Sequence, residues 1–274
     1  MLETITPLIL TYNEAPNIDR TVQSLTWATQ ILVVDSYSTD DTLERLKQYA
    51  QVKIIQREFD TFASQCNFGL SQITTEWVLS LDADYVCTKE LIDEIKSLPY
   101  DLLYDGYFAR FKYCVFGKPL RATLYPARQI LYRKAKAHYL DDGHGHRVQI
   151  DGKSGLLTGY IHHDDRKSLG RWLQSQDRYM IIESQKLLSI PAAELNTGDR
   201  IRKKKLLAPL IVLFYCLILK RGILDGWPGW YYALQRMTAE IILAIRLIEF
   251  EHLQEQIETS TPSSPKLTSQ VSQT

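Results

Sequence analysis

Apolar residues in the first hundred positions gather into four short runs, each followed by polar residues and then by a stretch with helical spacing. Ile5 to Leu10, interrupted by Pro7, leads into Thr11-Tyr12-Asn13-Glu14. Ile31 to Val34 ends at Asp35, Val52 to Ile55 is the third run, and Trp77 to Leu81 ends at Asp82-Ala83-Asp84. Short, nearly continuous apolar runs are the pattern of strands buried on both faces. The segments between them predict helices. Asn17 to Trp27 places Ile18, Val22 and Leu25 at helical spacing. Ser38-Thr39-Asp40-Asp41 supplies capping residues and acids for a helix over Thr42 to Tyr49, and Phe62 to Leu70 is the third. Strands alternating with helices at this spacing predict βαβ crossovers and a parallel sheet. Ligands of such sheets bind beyond the carboxyl ends of the strands, which brings Asp35, Asp82 and Asp84 to one edge.

Past about Leu98 the pattern changes. Tyr107 to Val115, Arg121 to Tyr125, Ile130 to Arg133 and Gly155 to Ile161 read as strands in mixed connections, and Ser168 to Leu188 as a helix with Leu169, Trp172 and Leu173 on one face. From Arg202 the character shifts again. Arg202-Lys203-Lys204-Lys205 precedes fourteen uncharged residues, Leu206 to Leu219, then Lys220-Arg221. A helix of that length spans about 21 Å, short of the ~30 Å hydrocarbon core, and Pro209 is expected to bend it near its start. A basic cluster beside a short apolar helix suits an interfacial element, as does the bunching of Trp227, Trp230, Tyr231 and Tyr232; a buried core helix or a homo-oligomer interface fits the same run. A further helix is expected over about Tyr231 to Gln256, and the Ser/Thr/Gln/Pro-rich residues from Thr259 are expected to be disordered. The organisation read this way is an α/β domain over residues 1–200, a helical membrane-associating or oligomerising segment over 201–258, and a tail over 259–274.

Composition narrows the function classes. The chain has 274 residues, 45% of them hydrophobic, and 32 basic side chains balance 32 acidic ones. The balance is uneven: residues 1–100 carry 7 basic and 15 acidic groups, residues 101–200 carry 16 and 11, and residues 201–274 carry 9 and 6. A mildly basic second half suits phosphate-bearing substrates or an anionic bilayer and is too weak to indicate nucleic acid. Cys66, Cys87, Cys114 and Cys216 form no CxxC pair and read as buried thiols in a reducing compartment. The N-terminus lacks a basic region followed by an apolar core, so the expected location is the cytoplasm, peripheral to the inner face of the cell membrane.

The chemistry centres on Asp82-Ala83-Asp84. Two carboxylates at the mouth of a buried strand can hold a hard divalent cation shared with a diphosphate, although solvated carboxylates in a strand-to-helix turn give the same pattern. His144, His146, His162, His163 and Asp164 lack the i, i+4 spacing of a helical zinc motif. Arg128, Lys167 and Arg171 are candidate phosphate or acceptor contacts, or solvated surface cations. A phosphohydrolase built on Asp82 is disfavoured, since its motif normally ends the first strand and this one ends the fourth.

Four motifs, Thr11-Tyr12-Asn13-Glu14, Val33-Val34-Asp35-Ser36-Tyr37-Ser38-Thr39-Asp40-Asp41-Thr42, Gln65-Cys66-Asn67-Phe68-Gly69 and Leu81-Asp82-Ala83-Asp84, stand in the order seen in family 2 glycosyltransferases of the GT-A fold. Leu219 to Trp227 also resembles the tail of the lipopolysaccharide-core β-1,4-glucosyltransferase subgroup. The resemblance implies a nucleotide-diphospho-sugar transferase fold with a mostly parallel central sheet. It implies that Thr11, Tyr12, Glu14 and Asp35 hold the base and ribose, an Asp being a suitable acceptor for a uracil N–H. It places Gln65 and Asn67 near the diphosphate, where Cys66 replaces the basic residue common among relatives. Asp84 is expected to ligate Mg²⁺ or Mn²⁺, and Asp82 to bond ribose or metal-bound water.

Family 2 enzymes invert by a single displacement and need a base for the acceptor hydroxyl. The usual carboxylate lies about sixty residues past the DxD, where this chain reads Leu140-Asp141-Asp142-Gly143-His144-Gly145-His146-Arg147-Val148. His146 occupies the position of the family's Glu, so Asp142 and His146 are joint candidates for the base. Arg171-Trp172 lacks the Gln of the processive-synthase motif, Ser168 standing in its place. The expected activity is transfer of a sugar from a nucleotide-diphospho-sugar to a hydroxyl of a lipid-linked or cell-envelope glycan; the rival is a non-catalytic nucleotide-binding membrane scaffold.

Overall fold

A computed structural model describes residues 2–99, 103–121, 124–142, 145–191 and 193–260. The first half alternates as the apolar pattern requires: β1 (Ile5–Thr11), α1 (Ile18–Gln23), β2 (Ile31–Asp35), α2 (Thr42–Leu46), β3 (Val52–Gln56), α3 (Phe62–Gln72) and β4 (Trp77–Asp82). A short strand β5 (Tyr85–Cys87) and helix α4 (Lys89–Ser97) follow, then β6 (Gly106–Val115), β7 (Lys118–Pro119), β8 (Arg128–Arg133), β9 (Ala137–Asp142), β10 (Gly145–Ile150) and β11 (Ser154–His163). Helices α5 (Leu169–Ser189), α6 (Thr197–Lys203), α7 (Leu207–Phe214) and α8 (Trp227–Ser260) complete the chain.

Among the described residues the main sheet runs β3-β2-β1-β4-β8-β6-β11-β5, with β7 paired to β6. Its first four strands are parallel. Beyond β4 the sheet is mixed: β8 is antiparallel to β4 and β6, β11 is parallel to β6, and β5 is antiparallel to β11. Alternate residues of the buried strands feed two cores. Ile5, Ile9, Ile31, Val33, Leu79 and Leu81 face one side, with α1 and α4, while Leu8, Leu32, Val34 and Val78 face the other, with α3. Strand periodicity of two makes this division.

Register aligns the strand ends that matter. Thr11 lies opposite Asp35 on β2, Leu10 lies opposite Asp82 on β4, and His163 lies opposite Tyr85 on β5. β11 changes register between Leu156 and Tyr160, and the amides of Thr158 and Gly159 donate to the Glu94 carboxylate instead of to a strand. A side chain at Gly159 would meet the Leu91 backbone at 2.5 Å, so glycine there lets α4 close on the strand.

Two expectations are corrected. Arg121 to Tyr125 is not a strand: its described residues carry no regular structure, because the Arg121 amide donates to Asp225 and the Leu124 amide to the Tyr232 hydroxyl. Their backbone donors are spent on the C-terminal helices. Pro209 does not bend α7 but falls in its first turn, where the missing N–H has no intrahelical partner to lose. The helix then widens into a π-turn over Tyr215–Leu219.

The C-terminal helices share apolar clusters with the α/β part. Val115 and Leu120 pack with Cys216, Leu217, Tyr232 and Ala233, and Leu187 and Leu195 pack with Leu243 and Leu247. No helix among the described residues is long and apolar enough to cross a membrane. Of the tail expected from Thr259, Thr259 and Ser260 instead continue α8, and the residues from Thr261 onward lie outside the described residues. All four cysteines are buried and free.

Candidate active site

The carboxyl ends of β1 and β2 are stitched into one loop pair. Asp35 is fully buried, and its carboxylate accepts from Thr11 Oγ1 (2.9 Å), Ser38 N (2.9 Å), Ser38 Oγ (2.5 Å) and Gln56 Nε2 (3.3 Å). Four donors match the acceptor capacity of a carboxylate, so Asp35 and Thr11 shape this edge from beneath. Asn13 and Tyr37, the two turn residues here, have left-handed backbones with φ of 57° and 59°. Asn13 tolerates this; for Tyr37 it is an uncommon conformation of the sort that gathers at functional sites. The Asn13 side chain accepts from the amides of Thr39 (2.7 Å) and Asp40 (3.2 Å), fixing one loop on the other. Tyr12 and Tyr37 are left exposed at this edge.

Asp82 ends β4 with its side chain 40% exposed, whereas Asp84, in the turn to β5, is buried. Asp84 Oδ2 is 3.1 Å from His163 Nε2 at the end of β11. The His163 ring is enclosed by Tyr85, Tyr113 and Tyr125, with centroids 4.9–5.3 Å away. Burial opposes ionisation of Asp84, but the His163 charge, its hydrogen bond and Lys167 outweigh it and bring the carboxyl to about 2. Burial also opposes protonation of His163, and Asp84 reverses that, raising its pKa.

The residues after His163 strap the site together. Asp165 Oδ1 accepts from Asn17 Nδ2 at 2.9 Å, Lys167 Nζ lies 2.7 Å from Glu14, and Arg171 Nη1 donates to the Asn13 carbonyl at 2.6 Å. Burial raises Glu14 to about 7, with Lys167 pulling it down and the nearby Asp84 charge pushing it up. Burial is the largest single influence on Lys167 and lowers its pKa, but Glu14, Asp84 and Asp165 together outweigh it and raise it, so the amine stays cationic. The asymmetry has a plain cause: one ammonium faces three carboxylates, so it holds its proton while Glu14 resists adding another negative charge. His163 and Asp165 were not singled out by sequence as a brace for the DxD; the signal available was the unbroken polar run His162 to Lys167 at the end of a strand.

Gln65 and Asn67 sit on α3. Gln65 is buried, accepting from Arg57 Nη1 (2.8 Å) and donating to Ser36 Oγ (3.0 Å). Asn67 donates to the Tyr139 carbonyl (3.0 Å) and accepts from the Tyr139 amide (2.9 Å), so both its amide atoms grip β9. Cys66, between them, points into the core. β9 and β10 form a hairpin in which His146 pairs with Asp141 and Asp142 with Gly145. The Asp142 and His146 side chains lie outside the described residues.

Beyond Asp82 a cleft of about 760 Å³ opens between β8 and the hairpin, lined among others by Tyr85, Phe108, Arg128, Leu140 and Arg147. Arg128 lies 3.7 Å from Asp82, donates to the Tyr85 hydroxyl at 3.3 Å and stacks over the Tyr125 ring at 4.7 Å. The described His, Cys, Asp and Glu side chains form no group of three able to cage a metal. The oxygen donors nearest to such a role are Asp82 and Asp84.

The model of glycosyl transferase family 2 matches residues 8–152, from β1 through the hairpin. The chain belongs to this family. Relatives among known proteins include an uncharacterized glycosyltransferase of Rickettsia felis, 36% identical over 109 residues, or 39% of this chain and 38% of that one. The match thus spans under two fifths of that relative's length. An uncharacterized glycosyltransferase of Rickettsia prowazekii is 25% identical across 83% of this chain and 81% of its own. The lipopolysaccharide core biosynthesis glycosyltransferase LpsC of Rhizobium meliloti is 22% identical across 89% and 92%. Among solved structures, S. aureus TarS 1–349 in complex with UDP-GlcNAc aligns with a TM-score of 0.47 and 16% identity, over 92% of each chain. The family match closes before β11, so His163, Asp165 and Lys167 lie beyond it.

Proposed function

We propose that this family 2 protein is an inverting, metal-dependent hexosyltransferase that uses a nucleotide-diphospho-sugar and a hydroxyl of a lipid-linked or cell-envelope glycan. The observation that carries the reading is Asp84: a buried carboxylate held ionised at the strand-end edge, two residues from Asp82. The donor set fits Mg²⁺ or Mn²⁺, which favour hard oxygens and commonly take one or two carboxylates together with substrate phosphates. The lack of a three-group cage among the described residues agrees with a site completed by the donor. Bound there, the ion would neutralise charge on the departing diphosphate.

The protein's own groups do the rest. Asp35, through Thr11 and Ser38, keeps the β1 and β2 loops shaped for the nucleoside, and Tyr12 and Tyr37 offer ring faces to it. Asp142 or His146, at the hairpin that walls the cleft, would take the acceptor proton. The name of the Rhizobium relative supports a cell-envelope acceptor.

The same reading puts the protein on the inner face of the membrane. Leu207, Leu210, Phe214 and Ile218 form one exposed apolar stripe, and Trp230, Leu234, Ile241, Ile245 and Ile248 form another on α8, which packs against α7. Arg202 is not free to meet lipid, since it pairs with Glu183 (3.1 Å) and Glu240 (2.9 Å), and Lys205 pairs with Glu251. Lys203, Lys204, Lys220 and Arg221 remain as the flanking cations, and anionic headgroups complement them. Nucleotide release measured across a panel of nucleotide sugars, with membrane extract as acceptor, tests the activity. Absence of release with every donor, together with no binding of nucleoside diphosphates, would overturn it.

A further inference from the structure

We infer that the cleft beside Asp82 is an acceptor subsite for an anionic glycan, one carrying a phosphate or carboxylate near the hydroxyl that reacts. The inference rests on the transferase reading only for placing the transferred sugar at Asp82. Its volume, about 760 Å³, lies within the ~300–1,000 Å³ usual for small-molecule sites. Phe108, Leu140, Val148 and Ile150 give it apolar walls, as the C–H faces of a sugar require.

Its charged lining is one-sided. Arg128 and Arg147 contribute guanidinium groups, and Asp82 is the one acid among its described lining residues. Arg128 is already oriented: it stacks over Tyr125, donates to Tyr85 and lies 3.7 Å from Asp82. A planar guanidinium held on an aromatic face presents its fork in a fixed direction, the geometry that suits bidentate recognition of phosphate or carboxylate. Arg147, on β10 across the cleft, is exposed and makes no hydrogen bond or ion pair with any described residue. When Asp82 is engaged by the donor, no other acid among the described lining residues balances the two cations. A neutral acceptor offers such a pair only hydroxyl oxygens, whereas an anionic group between β8 and β10 engages both through stronger, charge-assisted bonds.

The test uses the full chain and ligand-observed NMR with three probes: mannose 6-phosphate, glucuronate and methyl mannoside. Preference for one of the two anions over methyl mannoside is expected, and the arm that binds separates a phosphate from a carboxylate acceptor. Arg147→Gln should weaken that anion by about tenfold or more, the loss expected for one charge-assisted hydrogen bond, and leave UDP affinity unchanged. Arg147→Lys should restore part of it, and Arg128→Gln should lose it too. Equal binding of all three probes, an unaltered affinity in Arg147→Gln, or complete displacement of the anion by UDP would overturn the inference. Failure of UDP to bind while the anion still does would remove the donor reading and leave this subsite standing.

Discussion

Asp84 and His163 meet at 3.1 Å although they stand 79 positions apart in the chain: Asp84 lies in the turn between β4 and β5, and His163 ends β11, which pairs with β5. The DxD carboxylate is therefore backed by the His163 ring, and in turn raises that ring's pKa. Folding keeps a proton on His163 beyond the 6.5 of an open chain, and keeps one on Glu14 up to about 7 against 4.5. Both groups bind more protons folded than unfolded. Their contribution to stability is complete below the unfolded values and is lost as pH rises through the folded ones. The ligand-free protein should lose thermal stability as pH rises from about 5 through neutrality, and His163→Gln should flatten the upper part of that slope, a change of roughly 2–4 °C per kcal/mol in a chain of this size. An identical slope in the variant would show that the pair does not titrate as described.

Removing the charge at the metal-facing edge should abolish turnover. Asp84→Asn should cut transfer by at least about a hundredfold, and EDTA should do the same to the native protein. Because Asp84→Asn also leaves His163 without its partner, circular dichroism must show a folded chain. Asp82→Asn, at a half-exposed position, gives the same comparison without that burden. Full activity in all three arms would sink the metal assignment.

The base assignment separates by pH and by variant. If His146 takes the acceptor proton, the transfer rate falls at acid pH with an apparent pKa near neutrality, and His146→Ala retains nucleotide binding. If Asp142 does so, Asp142→Asn has that phenotype while His146→Ala stays active. Undiminished transfer by the double variant would remove both.

Asn67 should prove to be a clamp for the hairpin. Its two bonds to Tyr139 tie α3 to β9, and the substitution removes both from the buried Tyr139. Asn67→Ala should destabilise the fold by about 1–3 kcal/mol in urea unfolding and reduce transfer with little change in UDP affinity. A large loss of UDP affinity at unchanged stability would instead make Asn67 a diphosphate contact.

Changing Lys203, Lys204, Lys220 and Arg221 together to Gln should reduce binding to vesicles containing phosphatidylglycerol, each cation contributing about 1 kcal/mol near such a surface, and binding should fall with salt. Arg202 and Lys205 are left intact because their ion pairs hold α6 and α7 to α8. Truncation before α6 is the poorer experiment, since it would uncover Val115, Leu120 and Leu187. A native protein that ignores these vesicles and forms a stable dimer would assign the apolar stripes to a second copy.

The parallel half of the fold was legible in the chain because its signals are local. Four apolar runs, their polar ends and the caps before α2 fix β1 to β4 within a residue or two. The strand ends carrying Asp35, Asp82 and Asp84 followed from that periodicity. What could not be read locally was partnership. Arg121 to Tyr125 has strand-like composition, yet its amides go to Asp225 and Tyr232 about a hundred residues away. The basic run Arg202 to Lys205 looks uniform in sequence, but two of its members are consumed by Glu183, Glu240 and Glu251 on other helices. Likewise nothing near Asp84 announces His163, nor anything near Asn67 the Tyr139 backbone. Long-range pairing decides these cases, and it becomes visible only when the sheet order is known.

The four buried thiols give the chain a set of internal clocks. Burial pushes Cys87 and Cys114 up to about 12, and a thiol reagent needs the thiolate in contact with solvent. Each cysteine can therefore react only when its own surroundings part. Cys66 lies on the core-facing side of α3, Cys87 lies in the core beneath α1 and α4, and Cys216 lies where the widened turn after α7 meets α8. Labelling rates read by mass spectrometry would time the opening of each layer separately, with Cys216 reporting whether a bilayer slows or hastens the loosening of the C-terminal helices.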